Sequence, residues 1–135
     1  MLIPTDFTES KAWPAVLDDR ASVRDEPAVY ALLHERDFGR LQGASRILYI
    51  GSTGQLGGTS ESCRLRIYRY PNGPHARELQ RRVQLLLDAG VEVMLYWKYV
   101  QSKDQAAAEE ARLLREYMAE HHELPPFNGR NEGAL

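Results

Sequence analysis

The segment that most constrains this chain is residues 91–100, Val-Glu-Val-Met-Leu-Tyr-Trp-Lys-Tyr-Val. β-Branched and aromatic residues dominate it, and apolar side chains fall on both alternating faces. It therefore predicts a strand that is largely buried. Two further runs have strand length: residues 28–33, opened by Pro27, and residues 47–50. The stretch between them, residues 37–45, carries two glycines among polar residues and reads as a hairpin connection, which makes the two runs an antiparallel pair. Helical segments alternate with these strands. Residues 63–70 form a short one after the polar loop 51–62, and Pro71-Asn72-Gly73-Pro74 breaks it. Over residues 75–88, Leu79, Val83, Leu86 and Leu87 share one face, and Ala89-Gly90 closes the helix. Asp104 can cap a long helix to about residue 122, striped by Ala107, Ala111, Leu114 and Met118 with Leu113 and Tyr117 alongside. The order β-β-α-α-β-α predicts an α+β fold with a small, mainly antiparallel three-stranded sheet flanked by helices. Residues 1–26, polar and interrupted by Pro4 and Pro14, read as an N-terminal extension with one short helix, and residues 27–135 as the domain proper.

Composition excludes several classes. A length of 135 residues bounds the answer at one domain. The single cysteine, Cys63, rules out an internal disulfide framework and a cysteine zinc cage. No apolar run approaches the ~18 residues of a membrane span, and residues 1–10 have no secretory pattern. The expectation is a soluble, cytoplasmic protein with no membrane partner. The formal charge of −2 argues against holding nucleic acid by bulk charge. That total hides an asymmetry. Residues 61–82 hold six arginines against two glutamates, a local balance of +4 against −6 elsewhere. Within them, Arg64, Arg66 and Arg69 interleave with Tyr68 and Tyr70, and Arg77, Arg81 and Arg82 follow. Such a surface can hold phosphates and stack on bases, or it can be a solvated helix face.

The informative residues are spread along the chain in a fixed order. Ala28-Val29-Tyr30 lies on the first strand and Tyr49-Ile50-Gly51 on the second. Arg64-Leu65-x-x-Tyr68 follows on a helix, then Glu110-Ala111-x-Leu113-Leu114-x-x-Tyr117, then Pro125-Pro126-Phe127-Asn128. Together, over about residues 27–130, they resemble the GIY-YIG nuclease superfamily, whose name is the two strand motifs. The first triplet departs from the pattern by carrying Ala28 for glycine. Eighteen residues separate Tyr30 from Tyr49, a long connection for the family, and Ser52 stands where several members carry lysine.

The resemblance implies an endonuclease that hydrolyses DNA phosphodiester bonds with Mg²⁺ or Mn²⁺. That chemistry needs an activated water, stabilisation of the charge that builds on the phosphoryl oxygens, and help for the leaving oxygen. By resemblance Glu110 is the metal ligand, with Glu109 and Glu116 as competing carboxylates on the same helix. Mg²⁺ keeps several waters, so one carboxylate can suffice. Arg64 is the phosphate clamp, its planar fork suited to two phosphate oxygens. Tyr68, one helical turn on, sits on the same face. Tyr30 is the general base or its relay, and Tyr49 its companion. Half-ionising a tyrosine at pH 7 requires roughly 4 kcal/mol of differential stabilisation, and metal-bound water with Tyr68 is the alternative route for the proton. Asn128 braces the site, and Gly51 permits close backbone approach. Arg66, Arg69, Arg77, Arg81 and Arg82 are the nucleic-acid contacts.

Each of these residues also has an ordinary structural reading. Strand tyrosines are commonly core with a satisfied hydroxyl, a helix glutamate is commonly solvated, and Asn128 before Gly129 suits a turn. A non-catalytic binding module, or an interaction subunit whose acidic helix docks a partner, is therefore the rival to the enzyme. A homodimer or a partner protein could select the target. Three other signals are discounted. The loop 51–62 lacks the Gly-Lys-Ser/Thr of a P-loop. His121-His122 point about 100° apart on a helix, a solvated helix end rather than a chelate, and His75 has no partner identifiable from sequence. Cys63 has no accompanying pattern for a thiol nucleophile.

Overall fold

The structure is a computed structural model that describes residues 7–53 and 74–128. Strand β1 (Glu9–Ala12) leads directly into helix α1 (Trp13–Asp18) and a single 3₁₀ turn (Arg20–Ser22). Two long strands follow, β2 (Ala28–Gly39) and β3 (Ala44–Ser52), then helix α2 (Pro74–Asp88), strand β4 (Val93–Tyr99) and helix α3 (Lys103–His121). Among the described residues the sheet has four strands in the order β1-β4-β2-β3, and every ladder is antiparallel. The α+β class with helices flanking an antiparallel sheet is as expected. The strand count is not: the sheet has four strands rather than three. The additional one is β1, from the segment read as an irregular extension. Its residues, Glu-Ser-Lys-Ala, hide it because an edge strand uses charge to deter further pairing and carries no alternating apolar signal.

Two layers of side chains separate the faces of the sheet. On one face Tyr30, Leu32, Tyr49, Val93, Leu95 and Trp97 pack with Trp13, Val16 and Val23 of the N-terminal segment and with Leu79 and Val83 of α2. On the other, Val29, Ala31, Leu33, Ile47 and Ile50 pack against Ala106, Leu113, Leu114 and Tyr117 of α3. Strand β2 lies between β4 and β3, which explains its unbroken burial from Ala28 to Leu33. Both β2 and β3 run beyond the expected segments, and the hairpin turn shortens to residues 40–43, where the Arg40 amide donates to the Gly43 carbonyl at 3.0 Å. Leu32 pairs with Tyr49 but Leu33 with Ile47, so Leu48 is a bulge. Both Leu48 and Tyr49 consequently enter the same layer.

The helix ends follow from their residues. Helix α2 stops in a Schellman arrangement: the Gly90 amide donates to Leu87 and the Val91 amide to Leu86, each at 3.0 Å. Gly90 supplies the left-handed conformation (φ +84°) that this closure requires. Helix α3 is capped by Ser102, whose hydroxyl accepts from the Gln105 amide at 3.1 Å, and not by Asp104, which sits in the first turn. Its buried stripe is Ala106, Leu113, Leu114 and Tyr117, rotated from the expected one, and Met118 is exposed. Alanines on several sides blur the apolar arc, and the large Tyr117 decides it. At its C-terminus His121 is buried, correcting the reading of a solvated pair. Its ring meets Tyr117 at 4.4 Å, and Nδ1 lies 2.8 Å from the Gln42 carbonyl, which can only accept, so Nδ1 carries the proton. His122 is exposed.

Candidate functional site

The end of β3 is where the described candidates meet. Tyr49 and Gly51 engage Tyr30, Ile50 engages Asn128 and Ser52 engages Glu110, because the pleat sends successive side chains to opposite faces. Tyr49 and Tyr30 lie beside each other, ring centroids 6.0 Å apart, in the layer closed by α1 and α2. Gly51 pairs with Tyr30 across the ladder. A Cβ on Gly51 would stand 2.8 Å from both Cζ and Oη of Tyr30 and 2.8 Å from a ring carbon of Tyr49. Only a glycine lets the two rings close over the strand here. Both tyrosines are buried, with 5% and 7% of their surface exposed.

Asn128 reaches the same strand from its outer edge. Its Oδ1 accepts from the Ile50 amide at 3.0 Å and its Nδ2 donates to the Ile50 carbonyl at 2.9 Å. One carboxamide thereby acts as a one-residue strand. With the Phe127 amide donating to the Leu48 carbonyl at 2.8 Å, it seals the edge of β3. The loop is held in turn by Arg82, whose Nη1 lies 3.4 Å from the Pro126 carbonyl and whose guanidinium stands 5.7 Å from the Phe127 ring.

Glu110 approaches from the other side. It falls within the sheet-facing stripe of α3, between Ala106 and Leu113–Leu114, and is half-buried. Its Oε1 accepts a 2.5 Å hydrogen bond from the hydroxyl of Ser52. Ser52 pairs with Val29, whose side chain belongs to the α3 layer. Glu110 therefore lies across the sheet from the tyrosine pair. The two competing carboxylates are committed to cations. Glu109 receives Lys98 Nζ at 2.7 Å and Arg112 Nη2 at 2.6 Å, and Glu116 receives Arg112 Nη1. Arg112, and after it Lys98, hold the Glu109 carboxyl at about 2, well below its ordinary range. Beside Glu110, a groove of about 840 Å³ runs along α3, lined by Ala107, Ala111, Leu114, Arg115 and Met118.

One half-buried carboxylate oriented by a hydroxyl fits a Mg²⁺-type ion that keeps most of its waters. Among the described residues there is no group of three or more His, Cys, Asp or Glu that could form a closed metal cage. Arg64, Arg66, Tyr68 and Arg69 lie outside the described residues, as does Cys63. Of the other expected nucleic-acid contacts, Arg77 and Arg81 are exposed on α2 and Arg82 is half-buried. Arg81 and Arg82 share Glu78, at 2.7 and 2.8 Å. The hydrogen bonds from Arg81, then Arg82, hold the Glu78 carboxyl at about 2. Sequence reasoning missed Ser52, whose partner is 58 residues away and is met only through the alternation of β3. Among the described residues no helix is long and apolar enough to cross a membrane. Compared with protein-family models, curated proteins and solved structures, the chain matches none.

Proposed function

We propose that this protein is a metal-dependent DNA endonuclease of the GIY-YIG type. The observation that supports it most is the convergence on residues 49–52 of β3. Tyr30, Glu110 and Asn128, distant in sequence and singled out by that resemblance, each touch this one stretch. In this reading Glu110 holds a divalent ion, Mg²⁺ or Mn²⁺, and Asn128 keeps β3 in register beneath the site. Tyr49 and Tyr30 close over Gly51, and Tyr30 handles a proton directly or through a neighbour. Arg64 and Tyr68 act on the phosphate. Arg66, Arg69, Arg77, Arg81 and Arg82 steer DNA. The bound ion supplies charge neutralisation at the phosphoryl oxygens and a more acidic water. In this reading the protein works in the cytoplasm.

The purified protein is incubated with supercoiled plasmid and with branched DNA in Mg²⁺ or Mn²⁺, beside Glu110→Ala. The expected result is nicking by the wild type and background cleavage by the variant. Cleavage unchanged in Glu110→Ala would remove the metal-ligand role.

A second reading is a non-catalytic DNA-binding module that keeps the fold. Burial of both tyrosines, on the opposite face from Glu110, favours it. Binding without cleavage on every substrate would select it.

A further inference from the structure

We infer that the outward face of α3 is an interface between two copies of this chain, packed antiparallel about a two-fold axis midway between Ala108 and Ala111. The inference does not depend on the nuclease reading. Helix α3 turns Ala106, Leu113 and Tyr117 into the sheet layer. Asp104, Ala108, Arg115 and Met118 are exposed, and Ala111 is half-buried in the apolar groove that Arg115 and Met118 also line. Asp104 and Arg115 are almost three whole turns apart, so they project from nearly the same side, about 16 Å from each other along the axis. Among the described residues neither takes part in an ion pair, whereas Glu109, Arg112 and Glu116 are tied to one another. The face therefore holds one acid and one base with alanines between them.

That pattern is complementary to itself. The midpoint of Asp104 and Arg115 is also the midpoint of Ala108 and Ala111. A two-fold axis through it, perpendicular to the helix, sets Asp104 against the partner's Arg115 and Arg115 against the partner's Asp104. Between the two ion pairs, Ala108 meets the partner's Ala111 and Ala111 meets the partner's Ala108. With no side chain beyond Cβ at the crossing, the helix axes can approach to about 8 Å. Met118, 40% exposed, then falls beside the first turn of the partner helix and is covered there. A parallel pairing would set acid against acid and base against base, so charge disfavours it. A foreign partner would have to supply both charges at this spacing, whereas a second copy of the chain brings them by symmetry.

Analytical ultracentrifugation of the full chain, over a micromolar to submillimolar series and without DNA, tests this. A single helix pair is a small interface, so the expected result is a concentration-dependent monomer–dimer equilibrium. Asp104→Arg and Arg115→Asp each place like charges together at both ends of the seam, and each should weaken self-association by about tenfold or more. Mixed in equal amounts, the two variants restore both ion pairs, since one chain is basic at both positions and the other acidic. The mixture should recover the wild-type affinity. Both positions are exposed and Ser102 still caps the helix, so thermal unfolding of each variant should resemble that of the wild type. Asp104→Lys with Arg115→Glu is a second pair for use where either variant melts early. A wild type that stays monomeric throughout overturns the inference and leaves the face to another occupant. Dimerisation unaltered in both single variants overturns it as well, because the contact then lies elsewhere. Variants that dissociate and do not rejoin on mixing overturn the antiparallel register.

Discussion

Gly51 shows how a single missing Cβ can organise a site. The added methyl of Gly51→Ala would meet Tyr30 and Tyr49 at 2.8 Å, and both rings are walled in by the core, so neither can retreat without disturbing Leu32 or Trp97. Overpacking of this kind costs about 1–3 kcal/mol. Urea unfolding should show a lower midpoint, equivalent to that loss, with an unchanged slope, and on the nuclease proposal plasmid cleavage should fall with it. An unaltered midpoint would mean that the rings do not close over the strand. At this scale the sequence was readable where a residue's type is itself unusual for its setting. Tyr30 and Tyr49 on strands, Glu110 in an apolar stripe and Asn128 after two prolines could all be singled out, and each lies against the end of β3. Ser52 could not, because a serine at a strand end is unremarkable until the fold shows which face it takes.

Among the elements, the two surface helices carry an acid-sensitive stability. On α3, Arg112 and then Lys98 hold Glu109 at about 2, against an ordinary 4.5. On α2, Arg81 and then Arg82 hold Glu78 at about 2, against the same reference. A carboxyl depressed on folding contributes stability that is fully present above its unfolded pKa and is lost as pH falls through the folded one. Both contributions are therefore complete above about pH 4.5 and disappear between there and pH 2. Chemical denaturation across that range should show stability falling with acid. In Glu109→Gln the fall should be shallower and the stability at neutral pH lower. A parallel pH profile in the variant would mean that the Lys98–Glu109–Arg112 cluster does not couple to folding. Element prediction followed the same division between strong and weak signals. Strand β4 and helix α2 were legible because their apolar residues are large and periodic, whereas β1 was not, since its charges serve the sheet's edge. The stripe of α3 was displaced because alanine fits either a buried or an exposed side.

On the scale of the whole molecule, the N-terminal segment and the charge distribution decide behaviour. Residues 9–23 supply an edge strand and three core side chains, Trp13, Val16 and Val23, all essentially inaccessible. Removing residues 1–26 should therefore abolish cooperative unfolding rather than trim a tail, a result visible in a thermal melt; a sharp transition in the truncated chain would show that β4 can serve as an edge. If the protein binds DNA as proposed, the net −2 leaves that attraction to local arginines, and two of those on α2 are already shared with Glu78. Exposed helix pairs are weak in water and yield readily to a competing phosphate, yet each phosphate contact must first displace the carboxylate. Glu78→Gln frees Arg81, while Arg82 keeps the Pro126 carbonyl and the Phe127 ring. If α2 faces DNA, affinity should rise and the salt dependence of log K should steepen by about one. Arg77→Ala, which removes an exposed cation, should flatten it by about one. Fluorescence anisotropy with a DNA duplex over a salt series measures both. A slope that ignores both substitutions would place the DNA-binding face away from α2.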